Sequence, residues 1–478
     1  MTGLDEAVLP SGIAWIILGA FSVIWIFLGW YLGRNTRTVD DYMLAGRNVG
    51  LALATATAMA TWVTTNTTMA APQFALQLGI WGMVGYALGS IGLILFAPLA
   101  ERIRRLMPGG FTSGDFIRLR YGNFAWRVFL VISLVYGLGW LISLGMAGGV
   151  LIEALSGIDY RVGMSVILFI CVVYTLLGGL RAVIGTDFVQ TILILIGVVI
   201  LAWLTIGKVG FENIHVSVSE ERPELLNLLF PAAIMFLFNN LLFGVGEIFH
   251  SNVWWSRAFA FGQGVGKRAY LLAGLLWLPI PIVAGFVALA TPALGLNVPG
   301  ADMVGPLVAA ELLGLAGAIV VFIVVFSALA SSLDSVLAAT ADLVTRDIYK
   351  GHLRKWAEER EVYVAAKTIV VVLGVVTWAV CMLRLGTLGA VLQFLGAFVA
   401  STIMPIVAGL YWRRTNPWGV IAAMVLGTGI GLYSYFAIGF YVAALVSAAI
   451  SMALVLISTW LWPRDFQWTS LREESVSS

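Results

Sequence analysis

The sequence predicts an all-α polytopic membrane protein, and three observations carry this prediction. The chain has 478 residues, of which 60% are hydrophobic and only 11% are charged, whereas an ordinary soluble domain is about 45–50% apolar and about 25% charged. Its mean hydropathy is +0.97. It contains 18 Trp and 52 Gly, and membrane proteins favour Trp at the interfaces and Gly within their helices. A soluble enzyme of this size would need far more charge to cover its surface.

Thirteen apolar runs are long enough to span a bilayer, which takes about 20 residues per helix. The first of them follows no basic segment, so we interpret it as a span and not as a cleavable signal. The predicted spans are about 12–33, 50–76, 79–100, 125–153, 160–180, 186–207, 229–258, 266–291, 308–341, 363–385, 387–412, 415–437 and 440–462.

The Lys and Arg residues predict the orientation of these spans. Of the 27 Lys and Arg, 23 fall on one side when the loops are sorted alternately. By the positive-inside rule that side is cytoplasmic. We therefore expect a multi-pass protein of the cell (inner) membrane with its N-terminus outside and its C-terminus inside.

The remaining segments are too short to form a second domain. Residues 1–478 are expected to form a single transmembrane domain, with 463–478 as a polar, disordered cytoplasmic tail. The net charge of +2, with dispersed Lys and Arg, predicts no nucleic-acid partner. The two cysteines, Cys171 and Cys381, lie in separate apolar runs and are interpreted as packing residues. The lipid bilayer is an expected partner, and no obligate protein partner is evident.

Polar residues inside three of the spans mark the candidate site, because a membrane helix tolerates them poorly. The first region is ATWVTTNTTMAAP at 60–72, where a run of Thr and Asn precedes Pro72. These are poor helix formers, so an unwound stretch would expose backbone carbonyls to a cation. The alternative is an intact helix in which the Thr hydroxyls bond to the preceding turn and Pro72 makes a kink.

The second region is FNNLLFGVGEIFH at 238–250, where Asn and Gly residues are expected to interrupt the span. Glu247 at this depth needs a partner or a function, the alternative being a structural carboxyl that is protonated or hydrogen-bonded. The third region is SALASSLDS at 327–335, whose hydroxyls and carboxylate suit a hard cation. Its alternative is close helix packing through small residues.

The two predicted breaks occupy corresponding places in two sets of five spans, about 50–207 and 229–412. Paired interruptions of this kind point to an inverted-repeat transporter. The prediction depends on hydropathy alone, because the halves share no obvious residue identity.

Several motifs resemble the sodium:solute symporter family over nearly the whole chain. They are YTLLGGLRAVIGTDFVQ at 174–190, ALASSLDS at 328–335, TRDIYK at 345–350 and YWRRTNPWG at 411–419. The resemblance implies a LeuT-like five-plus-five inverted-repeat fold with extra helices at both ends, alternating access, and sodium as the coupling ion without another cofactor.

The same resemblance implies a sodium site built from the first broken helix and the ninth span. Matched through the serine pair and the spacing from Pro72 to Gly79, it falls on a short set of residues. The implied sodium-binding residues are Ala60, Val63, Ala328, Ser331, Ser332 and Asp187. Asp187 has a second interpretation as an N-terminal helix cap, and Asp334 is expected to add charge or to serve a second ion.

The substrate is implied less specifically. YLLAGLLWLPIP at 270–281 resembles the urea-transporter branch, whereas the ninth span keeps the general serine pattern. Urea is the leading expectation, although Glu247 suits an amine as well. The candidate substrate-binding residues are Thr64, Thr65, Thr67, Asn240, Glu247 and Gln393.

Other functions fit the sequence less well. Glu247 and His250 form a single Glu-x-x-His motif, whereas a di-iron bundle needs two. The glycine-rich GQGVGK at 262–267 follows a membrane helix and lacks the strand of a P-loop. The open alternatives are a proton-coupled symporter, a sodium symporter of an amine, amino acid or carboxylate, and a passive solute channel.

Overall fold

The computed structural model describes residues 9–298 and 300–477, without the side chains of residues 65, 66, 313, 474, 476 and 477. In these ranges the regular structure is helical, apart from one isolated bridge between Val49 and Phe261. Short 3₁₀ turns occupy Ala45–Arg47, Pro223–Leu226, Ala301–Met303 and Phe440–Val442, and a π-helical segment occupies Val344–Leu353. The helices are α1 Ser11–Gly33, α2 Val39–Leu44, α3 Leu51–Trp62, α4 Thr65–Leu78, α5 Ile80–Ala87, α6 Ser90–Leu106, α7 Ser113–Tyr121, α8 Asn123–Ser156, α9 Tyr160–Lys208, α10 Phe211–Glu221, α11 Pro231–His250, α12 Asn252–Ala260, α13 Val265–Trp277, α14 Pro279–Ala288, α15 Val304–Leu343, α16 Glu359–Cys381, α17 Leu388–Ala400, α18 Ile403–Tyr411, α19 Pro417–Ala437, α20 Ala443–Leu461 and α21 Trp468–Ser477.

The helices confirm an all-α membrane protein, but they do not confirm the count of thirteen spans. Eleven helices in the described ranges are long and apolar enough to cross a membrane. The fifth and sixth predicted spans are both contained in α9, which is 49 residues long and bends at Gly179, where φ is 55°. The second predicted span is divided into α3 and α4, of 12 and 14 residues. Helix α15 lies at the centre and packs against α8 and α9.

The first predicted break is present at the start of the first predicted repeat. Helix α3 ends at Trp62, and Val63 and Thr64 are non-helical, with ψ angles of 82° and 168°. Thr64 then caps α4, since its hydroxyl accepts from the Thr67 amide at 3.1 Å and the Thr67 hydroxyl accepts from the Thr64 amide at 3.1 Å. The Thr-rich run is therefore unwound over only two residues, and it restarts the helix through its own side chains.

The second predicted break is at the wrong place. Helix α11 continues through Asn239, Asn240, Gly244 and Gly246, and the interruption comes at Ser251, where ψ is 131°. The glycines serve helix packing: a Cβ at Gly244 would lie 2.5 Å from Gly89 Cα, and one at Gly246 would lie 2.8 Å from the Val399 carbonyl carbon. Close approach of neighbouring helices explains these residues without a break.

The third region also lies in a continuous helix. Helix α15 is non-helical at Gly314, where φ is 59°, and then runs unbroken through the serine pair to Leu343. It continues into the π-helical segment, so the ninth span extends beyond its predicted C-terminal end, whereas its unbroken part begins only after Gly314.

The expectation of a disordered tail is wrong for most of residues 463–478. Helix α21 covers Trp468–Ser477 and packs against α6 and α7. Leu471 is fully buried, and the Trp468 ring lies 4.7 Å from the Arg102 guanidinium. One apolar side chain in a polar segment is enough to dock it.

Candidate functional site

Four of the implied sodium-binding residues meet at the first break. The Ser331 hydroxyl lies 3.0 Å from the Ala60 carbonyl oxygen and 3.1 Å from that of Ala328. The Ser332 hydroxyl lies 3.1 Å from the Thr61 carbonyl and 3.0 Å from that of Ala328. We call Ala60, Thr61, Ala328, Ser331 and Ser332 the oxygen cluster.

The oxygen cluster has more acceptors than donors. Two hydroxyl hydrogens serve three carbonyl oxygens, and every residue in the set is buried. When a hydroxyl turns its hydrogen elsewhere, its lone pairs become available beside these carbonyls. Neutral oxygens arranged in this way suit a hard monovalent cation. Val63 is buried at the break itself, and its role as a ligand stays a prediction.

Asp187 is held by a buried arginine next to the oxygen cluster. Its Oδ2 accepts from the Thr57 hydroxyl at 2.6 Å and lies 3.4 Å from Arg257 Nη2, and neither charged side chain has any exposure. Helix α9 runs through this position, so the alternative role of Asp187 as a helix cap is wrong.

Arg257 donates hydrogen bonds to side chains from three other helices. We call this group the arginine cluster and define it as Thr57, Thr61, Asp187, Arg257 and Ser335. Arg257 Nε donates to the Thr57 hydroxyl at 3.0 Å, and Nη2 donates to those of Thr61 and Ser335 at 2.7 Å each. The Ser335 hydroxyl donates to the Ser331 carbonyl at 2.6 Å, which joins the two clusters. The arginine cluster thereby ties α3, α9, α12 and α15 together.

Asp334 is the remaining carboxylate of this region. It is fully buried near Asp187 and Arg257, and neither of its oxygens has a hydrogen bond of normal geometry. The hydroxyls beside it are committed elsewhere, that of Tyr174 to the Ala330 carbonyl at 2.8 Å and that of Ser335 to Ser331. A carboxylate in such surroundings needs a proton or a bound cation.

A small cavity lies on the other side of the first break. Its volume is about 10 Å³, which is about one water molecule's probe volume. Thr64 and Asn240 are its hydrogen-bonding side chains, apart from the ring N–H and O–H groups of the aromatic residues. The full lining is Trp62, Thr64, Tyr86, Gly89, Trp140, Asn240, Phe243, Gly244 and Trp277.

Aromatic rings enclose this cavity. The Trp62 ring lies 5.7 Å from those of Trp140 and Trp277, and the Tyr86 ring lies 6.2 Å from that of Trp277. Trp277 Nε1 also donates to the Trp62 carbonyl at 2.6 Å. The four rings come from four different helices, so no spacing along the chain marked them as a group.

Two other candidate substrate-binding residues, Gln393 and Thr67, do not line the cavity but contact residues that do. Gln393 Nε2 donates to Asn240 Oδ1 at 3.0 Å, and its Oε1 accepts from Asn239 at 2.8 Å. The Thr67 hydroxyl donates to the Trp62 carbonyl at 3.1 Å. The Thr65 side chain lies outside the described residues.

Glu247 also lies behind the lining, one turn before the second break. Its Oε2 accepts from Trp254 Nε1 at 2.8 Å, and the hydroxyls of Tyr136 and Ser251 are close to the carboxylate. The Trp254 ring in turn lies 5.6 Å from the Trp62 ring. The Glu247 carboxylate therefore does not line the cavity. It contacts Trp254, which packs against the lining residue Trp62.

Sequence reasoning missed the aromatic lining and Arg257. The sequence contained a signal for Arg257, because an arginine inside a predicted span needs a buried partner. The prediction used Arg257 only in the count of positive charges that sets the orientation of the spans. The aromatic residues gave no comparable signal, since Trp is common throughout the chain.

Known proteins resemble this chain in sequence. The chain is 26% identical over 457 residues to the urea-proton symporter DUR3 of Oryza sativa, covering 87% of this chain and 63% of that protein. It is 28% identical over 440 residues to the osmoregulated proline transporter OpuE of Bacillus subtilis, with 86% of each chain covered. It is 24% identical to the urea active transporter of Saccharomyces cerevisiae, covering 89% of this chain and 63% of the yeast protein. The chain thus spans less than two thirds of the length of the plant and yeast relatives. The three relatives are transporters and not enzymes.

Solved structures resemble it in fold. A Na⁺-coupled sialic acid symporter in a substrate-bound outward-open state matches with a TM-score of 0.78 at 17% identity, covering 95% of this chain and 99% of that one. The transporter MhsT in complex with L-phenylalanine matches with a TM-score of 0.52 at 14% identity, covering 87% and 99%. These neighbours confirm the predicted LeuT-like fold. The model of the sodium:solute symporter family matches residues 42–427, and the chain belongs to that family.

Proposed function

We propose that the protein is a secondary active transporter that couples sodium entry to the uptake of a small polar solute by alternating access in the cell membrane. The oxygen cluster is the observation that carries the proposal. It joins carbonyls of the broken helix to hydroxyls of α15, so a cation bound there stabilises one arrangement of the two elements. The small cavity adjoins the same break, because Trp62 and Thr64 line it.

Urea is the leading solute. No lining residue of the cavity carries a charged side chain, and the lining combines aromatic faces with Thr64 and Asn240. A flat, neutral molecule with amide groups fits this chemistry better than an amine or a carboxylate. Relatives that transport urea and relatives that transport proline are both similar to the chain, so sodium symport of an amino acid is the competing proposal.

Coupling is tested with purified protein in proteoliposomes. Uptake of radiolabelled urea is measured with an inward sodium gradient, with potassium replacing sodium, and with an inward proton gradient alone. Accumulation above the external concentration with sodium only is the expected result. Equilibration without accumulation would indicate a channel, and accumulation with the proton gradient alone would assign coupling to a carboxylate such as Asp334.

Proline serves as the matched solute in the same vesicles. Sodium-driven accumulation of proline without urea would overturn the proposed solute and leave the coupling proposal standing.

A further inference from the structure

A second cavity, which shares no lining residue with the oxygen cluster, lies between α7, the start of α8 and the π-helical segment. Its volume is about 490 Å³, which is large enough for a phosphate with its ester groups. Five of its lining residues are basic: Arg118, Arg127, Arg346, Lys350 and Lys355. All five belong to the loops and span ends of the side predicted to be cytoplasmic.

The acidic residues of this cavity are already engaged. Asp115, the acidic lining residue, lies 3.2 Å from Arg118 Nη2, and its other oxygen accepts from the amides of Phe111 and Thr112. Asp347, behind the wall, accepts from the Thr112 hydroxyl and from Trp126 Nε1 at 2.7 Å each. Five basic side chains thus line a space whose one acidic lining residue, Asp115, already has donors, and the carboxylate behind its wall is likewise occupied.

The start of α8 adds donors to the same space. Asn123 is the first residue of this 34-residue helix and lines the cavity, and the helix has no side-chain cap. The free amides of its first turn and the positive end of its dipole favour an anion. Arginine side chains add the forked donors that match phosphate oxygens.

Apolar side chains beside the cavity indicate the source of the anion. Leu353 is 70% exposed and Trp356 is 96% exposed, and both lie next to lining residues in the chain. Exposed Trp and Leu next to clustered basic residues are typical of the membrane–water interface, where basic pockets hold anionic headgroups.

We propose that this cavity binds the phosphate group of an anionic phospholipid from the adjacent leaflet. The headgroup phosphate lies among the basic side chains, and the acyl chains leave past Leu353 and Trp356. A bound lipid bridges α7, α8 and the π-helical segment, so it stabilises the arrangement of these three elements. The proposal is independent of the ion and the solute that are transported.

The test uses the full-length protein in a neutral detergent and measures its melting temperature. Dioctanoyl phosphatidylglycerol, dioctanoyl phosphatidylcholine and potassium phosphate are titrated separately. We expect phosphatidylglycerol to raise the melting temperature in a saturable way, and the other two to leave it unchanged. If potassium phosphate raises the melting temperature in the absence of lipid, the site binds free phosphate and the proposal of a lipid ligand is overturned.

Two double variants remove the same charge from exposed positions. Arg127→Gln/Lys355→Gln alters the cavity, and Lys267→Gln/Arg268→Gln alters the start of α13 on the same predicted side. We expect the apparent affinity for phosphatidylglycerol to fall about tenfold or more in the first variant only. An equal fall of the affinity in both variants would mean that general surface charge attracts the lipid, and it would overturn the proposed binding site. The melting temperatures of both variants without lipid check that the fold is intact.

Discussion

The interruption at Val63 and Thr64 and the interruption at Ser251 have opposite chemistry. At Val63 and Thr64 the chain presents neutral oxygens, and the two serine hydroxyls that meet them have more acceptors than hydrogens to donate. At Ser251 the interruption lies between the Glu247 carboxyl and Arg257, and both ionisable side chains already have partners. The first interruption can exchange one ligand for another at little cost, whereas the second holds its ionisable side chains in fixed positions.

This difference has an energetic basis. A buried charge that loses its partner costs several kcal/mol, so the second interruption resists rearrangement. A hydroxyl that rotates from a carbonyl toward a cation replaces one favourable contact by another. In the proposed mechanism the two interruptions have different tasks. The first rearranges when an ion binds, and the second holds the neighbouring helices in fixed relative positions.

The largest expected effect is at the arginine cluster. Arg257→Met leaves Asp187 buried without its cation, which costs about 3–5 kcal/mol. We expect a large fall of the melting temperature, measured in detergent. In the double variant Asp187→Asn/Arg257→Met most of the loss should return, because no charge remains unpaired. If the two single losses simply add in the double variant, the pair is not coupled and the comparison fails.

Sodium stabilisation should depend on the first interruption alone. A specific ion at about 100 times its dissociation constant stabilises a protein by about 2.7 kcal/mol. We expect Ser332→Ala to remove most of the difference in melting temperature between sodium chloride and potassium chloride. Ser327→Ala is the matched control, since it removes a buried hydroxyl from the same helix outside the oxygen cluster. Equal loss in both variants would contradict the assigned site.

The continuity of α11 can be tested at its glycines. Gly244→Ala forces a methyl group against Gly89 Cα and should cost about 1–3 kcal/mol by overpacking. Gly429→Ala in α19 meets no neighbouring atom within 4 Å, and it should be neutral or slightly stabilising. Thermal unfolding of both variants provides the measurement. A neutral result at Gly244 would mean that the helices pack less closely than described.

The smallest effect is expected at Glu247. Glu247→Gln keeps an oxygen that accepts from Trp254, so the lining of the cavity should persist. We expect the KM for urea to rise by less than about tenfold, with the sodium dependence unchanged, in the proteoliposome uptake assay. A loss of uptake as complete as that of a lining variant such as Asn240→Ala would place Glu247 in direct contact with the solute.

Much of the site was predictable where the signal is local. The Thr-rich run predicted an unwound stretch within 60–72, because poor helix formers and Pro72 act on the residues next to them, and Val63 and Thr64 are unwound there. The serine pair and Ala60 came together as the family resemblance implied. The second break was misplaced because Gly244 and Gly246 read equally well as helix breakers and as contact residues, and only the neighbouring helix distinguishes the two.

By itself the sequence determined an all-helical membrane protein, its family, the first interruption and four residues of the oxygen cluster, since hydropathy, helix propensity and motif are properties of adjacent residues. The tertiary structure alone decided that Asp187 pairs with Arg257, that Glu247 faces Trp254 and that aromatic rings from different helices close one cavity. Each of these depends on side chains tens to hundreds of residues apart or on how helices pack. In a bilayer the helices associate through close packing and buried polar contacts between spans, and no local pattern specifies which spans will meet.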